Sequence, residues 1–105
     1  MRMNRITVVS NEDLIDAQAR AYAEYRVFAV LAPHTQRFGR ARVVLRHVDE
    51  RGTSDDVTCA VTVALEPSGS LRTQATGPHV YAAINRAVER LGEAWRAVSS
   101  DGAHP

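Results

Sequence analysis

The sequence predicts an α+β fold in the order β-α-β-β-β-α, with two helices packed on one face of a four-stranded sheet. Three observations lead there. Short β-branched runs alternate with period two, two longer segments repeat apolar residues every three or four positions, and Gly, Pro, Ser and Asn separate them. At 105 residues there is room for one domain and one core, assigned to residues 1–98, with 99–105 expected as a disordered tail.

Met3 to Val9 (MNRITVV) reads as the first strand. Ser10 or Asn11 can cap the helix that follows, with Glu12, Asp13 and Asp16 near the positive end of its dipole. Ile15, Ala19, Tyr22, Ala23, Val27 and Val30 give that helix an apolar face, and Pro33 stops it at about Leu31. A connector, Ala32 to Gly39, leads to strands Arg40–Glu50, Asp55–Glu66 and Ser70–Thr76. The turns Glu50-Arg51-Gly52-Thr53-Ser54 and Pro67-Ser68-Gly69 make these an antiparallel meander. In the middle strand Val57, Cys59, Val61, Val63 and Leu65 share one face, and Thr58, Ala60, Thr62 and Ala64 the other. Gly77-Pro78 opens the second helix, in which Val80, Ile84, Ala87, Val88, Leu91, Trp95 and Val98 form an apolar stripe.

All thirteen basic side chains are Arg, and there is no Lys. This excludes a Walker-type phosphate loop and any Schiff-base enzyme, both of which need an amine. Any anion this chain meets, it meets with guanidinium groups, which form bidentate forks to phosphate. No apolar run approaches the roughly 20 residues of a membrane span, no apolar leader segment precedes the first acids, and a lone Cys59 permits no internal disulfide. A cytoplasmic protein without membrane contact is expected.

The residues offer no catalytic centre. His34, His47, His79 and His104 stand apart from other ligand types, so no metal is expected. His47 alternates with Leu45 and reads as a partly buried, hydrogen-bonded histidine, and Cys59 reads as a small core hydrophobe. Asp49-Glu50 and Asp55-Asp56 flank a hairpin turn, where acids serve solubility. There is no Gly-x-Ser-x-Gly elbow and no dinucleotide fingerprint. No enzyme activity, cofactor or small-molecule substrate is expected.

Charge is distributed unevenly. Between Tyr25 and Val48 stand Arg26, Arg37, Arg40, Arg42 and Arg46 with two His and no acid, in a chain of net charge +1. Strand alternation puts Arg40, Arg42 and Arg46 on one face, and Arg72 extends that row. Arg86 and Arg90 lie four apart on the second helix, a repulsive spacing that phosphate would relieve, although Glu89 and Glu93 also interleave with them. The aromatics fall on helices or, for Phe38, in the connector, which disfavours base stacking on the sheet and leaves phosphate and shape recognition of RNA.

In the last helix, Tyr81, Ala83, Ile84, Asn85, Arg90 and Leu91 match a Tyr-x-Ala-Ile-Asp/Asn core followed by a basic-Leu pair. With the element order, the spacing of Arg20 and Arg26, and the strand start Ala41-Arg42-Val43-Val44-Leu45, the chain resembles the ribosome hibernation-promoting factor / ribosome-associated inhibitor A family (sigma-54 modulation, S30EA) over about residues 3 to 98. The resemblance is to a divergent short form: Pro78-His79 replaces the acid usual before the aromatic helix start, and Val27, Ala29 and Val30 replace later basics of the first helix. It implies a factor that binds 16S rRNA of the small subunit, free or in the 70S ribosome, near the A and P sites, and blocks mRNA and tRNA in stress or stationary phase. It further implies rRNA contacts by Arg20, Arg26 and Arg90, to which the charge pattern adds Arg37, Arg40, Arg42, Arg46 and Arg86, and packing roles for Tyr81 and Ile84. A monomer or weak homodimer is expected. The alternative is a βαβββα protein-interaction or double-stranded-RNA-binding-like module that does not bind ribosomes.

Overall fold

Alternation along Val57–Leu65 buries Val57, Cys59, Val61 and Val63 and leaves Thr58, Ala60, Thr62 and Ala64 on the opposite, more open face. This strand is the spine of the molecule. The computed structural model of the chain describes residues 5–10, 15–34, 37–48 and 56–103, the last six as backbone only. Its elements are β1 (Ile6–Ser10), α1 (Ala17–Leu31), a 3-10 turn (Ala32–His34), β2 (Phe38–His47), β3 (Val57–Leu65), β4 (Ser70–Gly77) and α2 (Val80–Ala103).

The sheet order is β1-β2-β3-β4. The expected meander is present, since β2–β3 and β3–β4 are antiparallel, while β1 pairs parallel with β2 in the register Ile6↔Ala41 to Ser10↔Leu45. A parallel pair needs a crossover, and α1 supplies it. The helices run side by side in the same direction: Tyr22 meets Asn85 near their starts, and His34 meets Trp95 further along. Both cover the face that carries Val43, Leu45, Val61 and Val63, giving the expected two layers.

Several boundaries differ from the sequence reading. The first turn of α1 is capped by Asp16, whose Oδ1 accepts from the Ala19 N–H at 2.9 Å, and not by Ser10 or Asn11. Ser10 instead belongs to β1, where the β ladder takes its backbone groups. Asn11, Glu12 and Asp13 lie outside the described residues, as do Met3 and the turn Glu50-Arg51-Gly52-Thr53-Ser54. Phe38 is the first residue of β2 and fully buried, not part of a connector; the register shifts between Phe38 and Arg40, so the alternation that marks the strand from Arg40 onward does not reach back to it. Helical backbone continues through Ala103, where a tail was expected from Ser99: Ser99-Ser100-Asp101 contains no breaker, and each added residue gains a helix hydrogen bond. His104 and Pro105 lie outside the described residues.

Trp95 closes the core at one end, 5.4 Å from the His34 ring and edge-on to Phe38 at 6.4 Å. Cys59 is buried as expected, and desolvation pushes its thiol up to about 12. His47 is half-buried, but among the described residues its Nε2 has no hydrogen-bond partner, contrary to the satisfied histidine expected. It follows β2's alternation onto the covered side at the strand's last position, where its neighbours are the aliphatic Leu45 and Val57. Among the described residues no helix is long and apolar enough to cross a membrane, and no group of His, Cys, Asp or Glu is placed to hold a metal.

Candidate nucleic-acid interface

Two sets of arginines stand in different environments. The first is on the open face of the sheet. The four strands contain no Asp or Glu, and their arginines, Arg40, Arg42, Arg46 and Arg72, are all exposed on that face. Register then fixes the rows: Thr7, Arg42, Thr62 and Arg72 lie across the four strands, followed by Val9, Val44, Ala60 and Gln74, and then by Arg46, Thr58 and Thr76. Arg72 thus joins the row as the alternation predicts. The side chains of Arg40, Arg42 and Arg46 make no hydrogen bond or ion pair among the described residues, whereas Arg72 donates to Gln74 Oε1 at 3.2 Å.

The second set belongs to the helices and is held by the chain itself. Arg20, half-buried, donates to the Ile15 carbonyl at 2.8 Å and ties α1 to the segment before it. Arg26 Nη1 donates to Tyr22 Oη at 3.0 Å and to Asn85 Oδ1, which also accepts from the Tyr22 hydroxyl at 2.7 Å. Tyr81 packs edge-on against Tyr22 with centroids 5.2 Å apart, so this polar knot and its aromatic lid join α1 to α2. Arg86 and Arg90 reach over the outer strand β4 and donate to the carbonyls of Thr76, at 2.8 Å, and Gln74. The repulsion expected between these two cations is therefore met by backbone oxygens of their own sheet. Each guanidinium has five N–H donors, so the anchored ones keep donors for an outside acceptor.

Arg37 is exposed where the chain enters β2; its N–H donates to the His34 carbonyl at 2.8 Å, and its carbonyl accepts from the Glu66 N–H at 3.0 Å. Of the eight arginines expected at the site, Arg40, Arg42 and Arg46 share the sheet face, Arg20, Arg26, Arg86 and Arg90 lie on the helices, and Arg37 stands at the β2 entrance. The sequence reading missed Arg5, which donates to the carbonyls of Gly39 and Phe38 and stacks over the Phe38 ring 4.2 Å from its centroid. It also missed Asn85 as the acceptor that organises Tyr22 and Arg26; a polar residue breaking the apolar stripe beside Ile84 was the available signal. With no acid in the strands and no aromatic on the open sheet face, the surface can hold phosphate by charge and hydrogen bonding but offers no ring on which to stack a base.

Solved structures with this fold include the N-terminal domain of Protein Y from Thermus thermophilus, at 26% identity and TM-score 0.62, with 89% of this chain and 93% of that one covered. A ribosomal subunit interface protein from Coxiella burnetii aligns with TM-score 0.71 at 14% identity, covering 91% and 96%, a likeness of fold alone. No curated protein matches the chain. The family model for sigma 54 modulation protein / S30EA ribosomal protein matches residues 6–97. This span takes in every strand, α1 and all but the last turns of α2, and with it the residues Tyr81, Ile84, Asn85 and Arg90 that carried the resemblance. The chain belongs to the sigma-54 modulation/S30EA family, the hibernation-factor family of non-enzymatic ribosome-binding modulators.

Proposed function

We propose that this protein binds 16S rRNA of the small ribosomal subunit in the channel between head and body, over the A and P sites. Bound there, it excludes mRNA and tRNA in stress or stationary phase. The action is steric occupancy, with no bond made or broken, and its setting is the cytoplasm. Family membership over residues 6–97 supports the partner. The observation that carries the mode of binding is the acid-free sheet face with its exposed Arg40, Arg42, Arg46 and Arg72. Arg20, Arg26, Arg37, Arg86 and Arg90 add cations on the helices and at the β2 entrance, the helical ones oriented by the bonds they already make.

Each phosphate contact releases condensed counterions, so affinity should fall linearly in log–log form with salt. The test is sedimentation of the protein with 30S and 70S particles through gradients of increasing salt. Co-sedimentation at low salt, lost steeply as salt rises and competed by tRNA, is the expected result. Protein that stays at the top of a low-salt gradient refutes the reading. Tight binding to duplex RNA without ribosome binding would move the assignment to a double-stranded-RNA-binding-like module.

A further inference from the structure

We propose that the open face of the sheet is a binding site for a small phosphate-chain ligand, an inorganic polyphosphate or a nucleoside triphosphate, recognised through its phosphates. The face is concave, because its residues differ in length in an ordered way. Short side chains, Val44, Ala60 and Thr62, form the floor, and long ones, Arg42, Arg46 and Arg72, stand around it. Together they line a half-open hollow of about 580 Å³. That volume is in the range of small-ligand sites, roughly 300–1,000 Å³.

The register brings the cations to one point. Arg42 and Arg72 flank Thr62 from the neighbouring strands, with Cα atoms about 10 Å apart at the usual strand spacing, and Arg46 lies four residues along β2 from Arg42. Guanidinium groups of this length can converge over Ala60 on a single phosphate chain. The Arg42 and Arg46 side chains have no hydrogen-bond or ion-pair partner among the described residues. The helix arginines differ on each count, being spread along α1 and α2 and bonded to their own chain.

The open face presents no aromatic side chain, so a base would have nothing to stack on. Recognition therefore rests on the phosphate chain. The claim concerns the purified protein and does not require ribosome binding, so the two readings can fail separately.

The experiment is calorimetric titration at low salt with tripolyphosphate, GTP, ATP and a short single-stranded RNA, with backbone amide shifts recorded in parallel. Tripolyphosphate and the nucleotides should bind with affinities within about threefold of each other, since no base is read, and should shift β2, β3 and β4 amides. Tripolyphosphate binding with no nucleotide binding would identify inorganic polyphosphate as the source and still support the site. Arg42→Glu/Arg72→Glu should weaken binding by about tenfold or more, and Arg42→Gln/Arg72→Gln by a smaller factor. Arg96→Glu, an exposed change on α2, should leave it within about twofold. Binding by RNA alone, equal losses in the sheet-face and Arg96 variants, or shifts confined to the helices would each overturn the proposal.

Discussion

Adding one methyl group at two glycines should move stability in opposite directions. Gly77 ends β4 beneath the start of α2, and a Cβ built there would lie 2.7 Å from the Ala83 nitrogen and 2.9 Å from both the Ala82 carbonyl carbon and Cβ. Two of these atoms are helix backbone, so α2 would have to shift. Forced overpacking of this kind costs about 1–3 kcal/mol. For a domain of this size each kcal/mol moves Tm by roughly 4–8 °C, so Gly77→Ala should lower Tm by about 5–20 °C. Gly92 lies inside α2, and its Cβ would have only Arg96 Nη1 within range, at an ordinary 3.6 Å. There alanine removes backbone entropy from the unfolded chain, so Gly92→Ala should stabilise by about 0.5–1 kcal/mol. Thermal melts followed by far-UV circular dichroism compare both variants with wild type. If Gly77→Ala melts within about 2 °C of wild type, or both variants move in the same direction, the close strand–helix approach is wrong.

Other outcomes follow from the same contacts. Asn85→Ala strands two donors, Tyr22 Oη and Arg26 Nη1, and should cost about 1–3 kcal/mol in denaturant titrations; combined with Tyr22→Phe in a double-mutant cycle, the two changes should be clearly non-additive. Asp16→Ala should cost about 0.5–2 kcal/mol through loss of the α1 cap, a loss that Asp16→Asn should largely avoid. Burial raises the Cys59 thiol from 9.0 to about 12, so its contribution is fully present below pH 9 and is lost as pH rises from 9 through 12. Wild type should therefore lose more stability than Cys59→Ala over that window, and the native thiol should resist aromatic disulfide reagents at pH 8 until the protein unfolds.

Much of this architecture was legible because strand and helix periods are local. Alternation alone separates Arg40, Arg42 and Arg46 from Val43 and Leu45, and the stripe from Ile84 to Trp95 gives the buried side of α2. What the sequence conceals is pairing across distance. The bonds from Arg86 and Arg90 to β4 depend on β4 being an outer strand, and no local pattern distinguishes an outer strand from a central one. Phe38 illustrates a second limit, since a register shift within its own strand breaks the alternation by which it would be recognised. At the start of α1, Ser10, Asn11 and Asp16 are all good caps by composition; β1 takes up Ser10, and the cap falls to Asp16.

The sheet's two borders are unlike. On β4, guanidinium groups from α2 occupy the carbonyls of Gln74 and Thr76, whereas β1, at the opposite border, has a hollow beside it lined by Ile6, Ala21, Glu24, Tyr25 and Phe28. Edge-to-edge growth needs two adhesive borders per molecule, one to join and one to be joined. With the Gln74 and Thr76 carbonyls already taken, a foreign strand approaching β4 would find those two acceptors occupied, so sheet extension is disfavoured at this border.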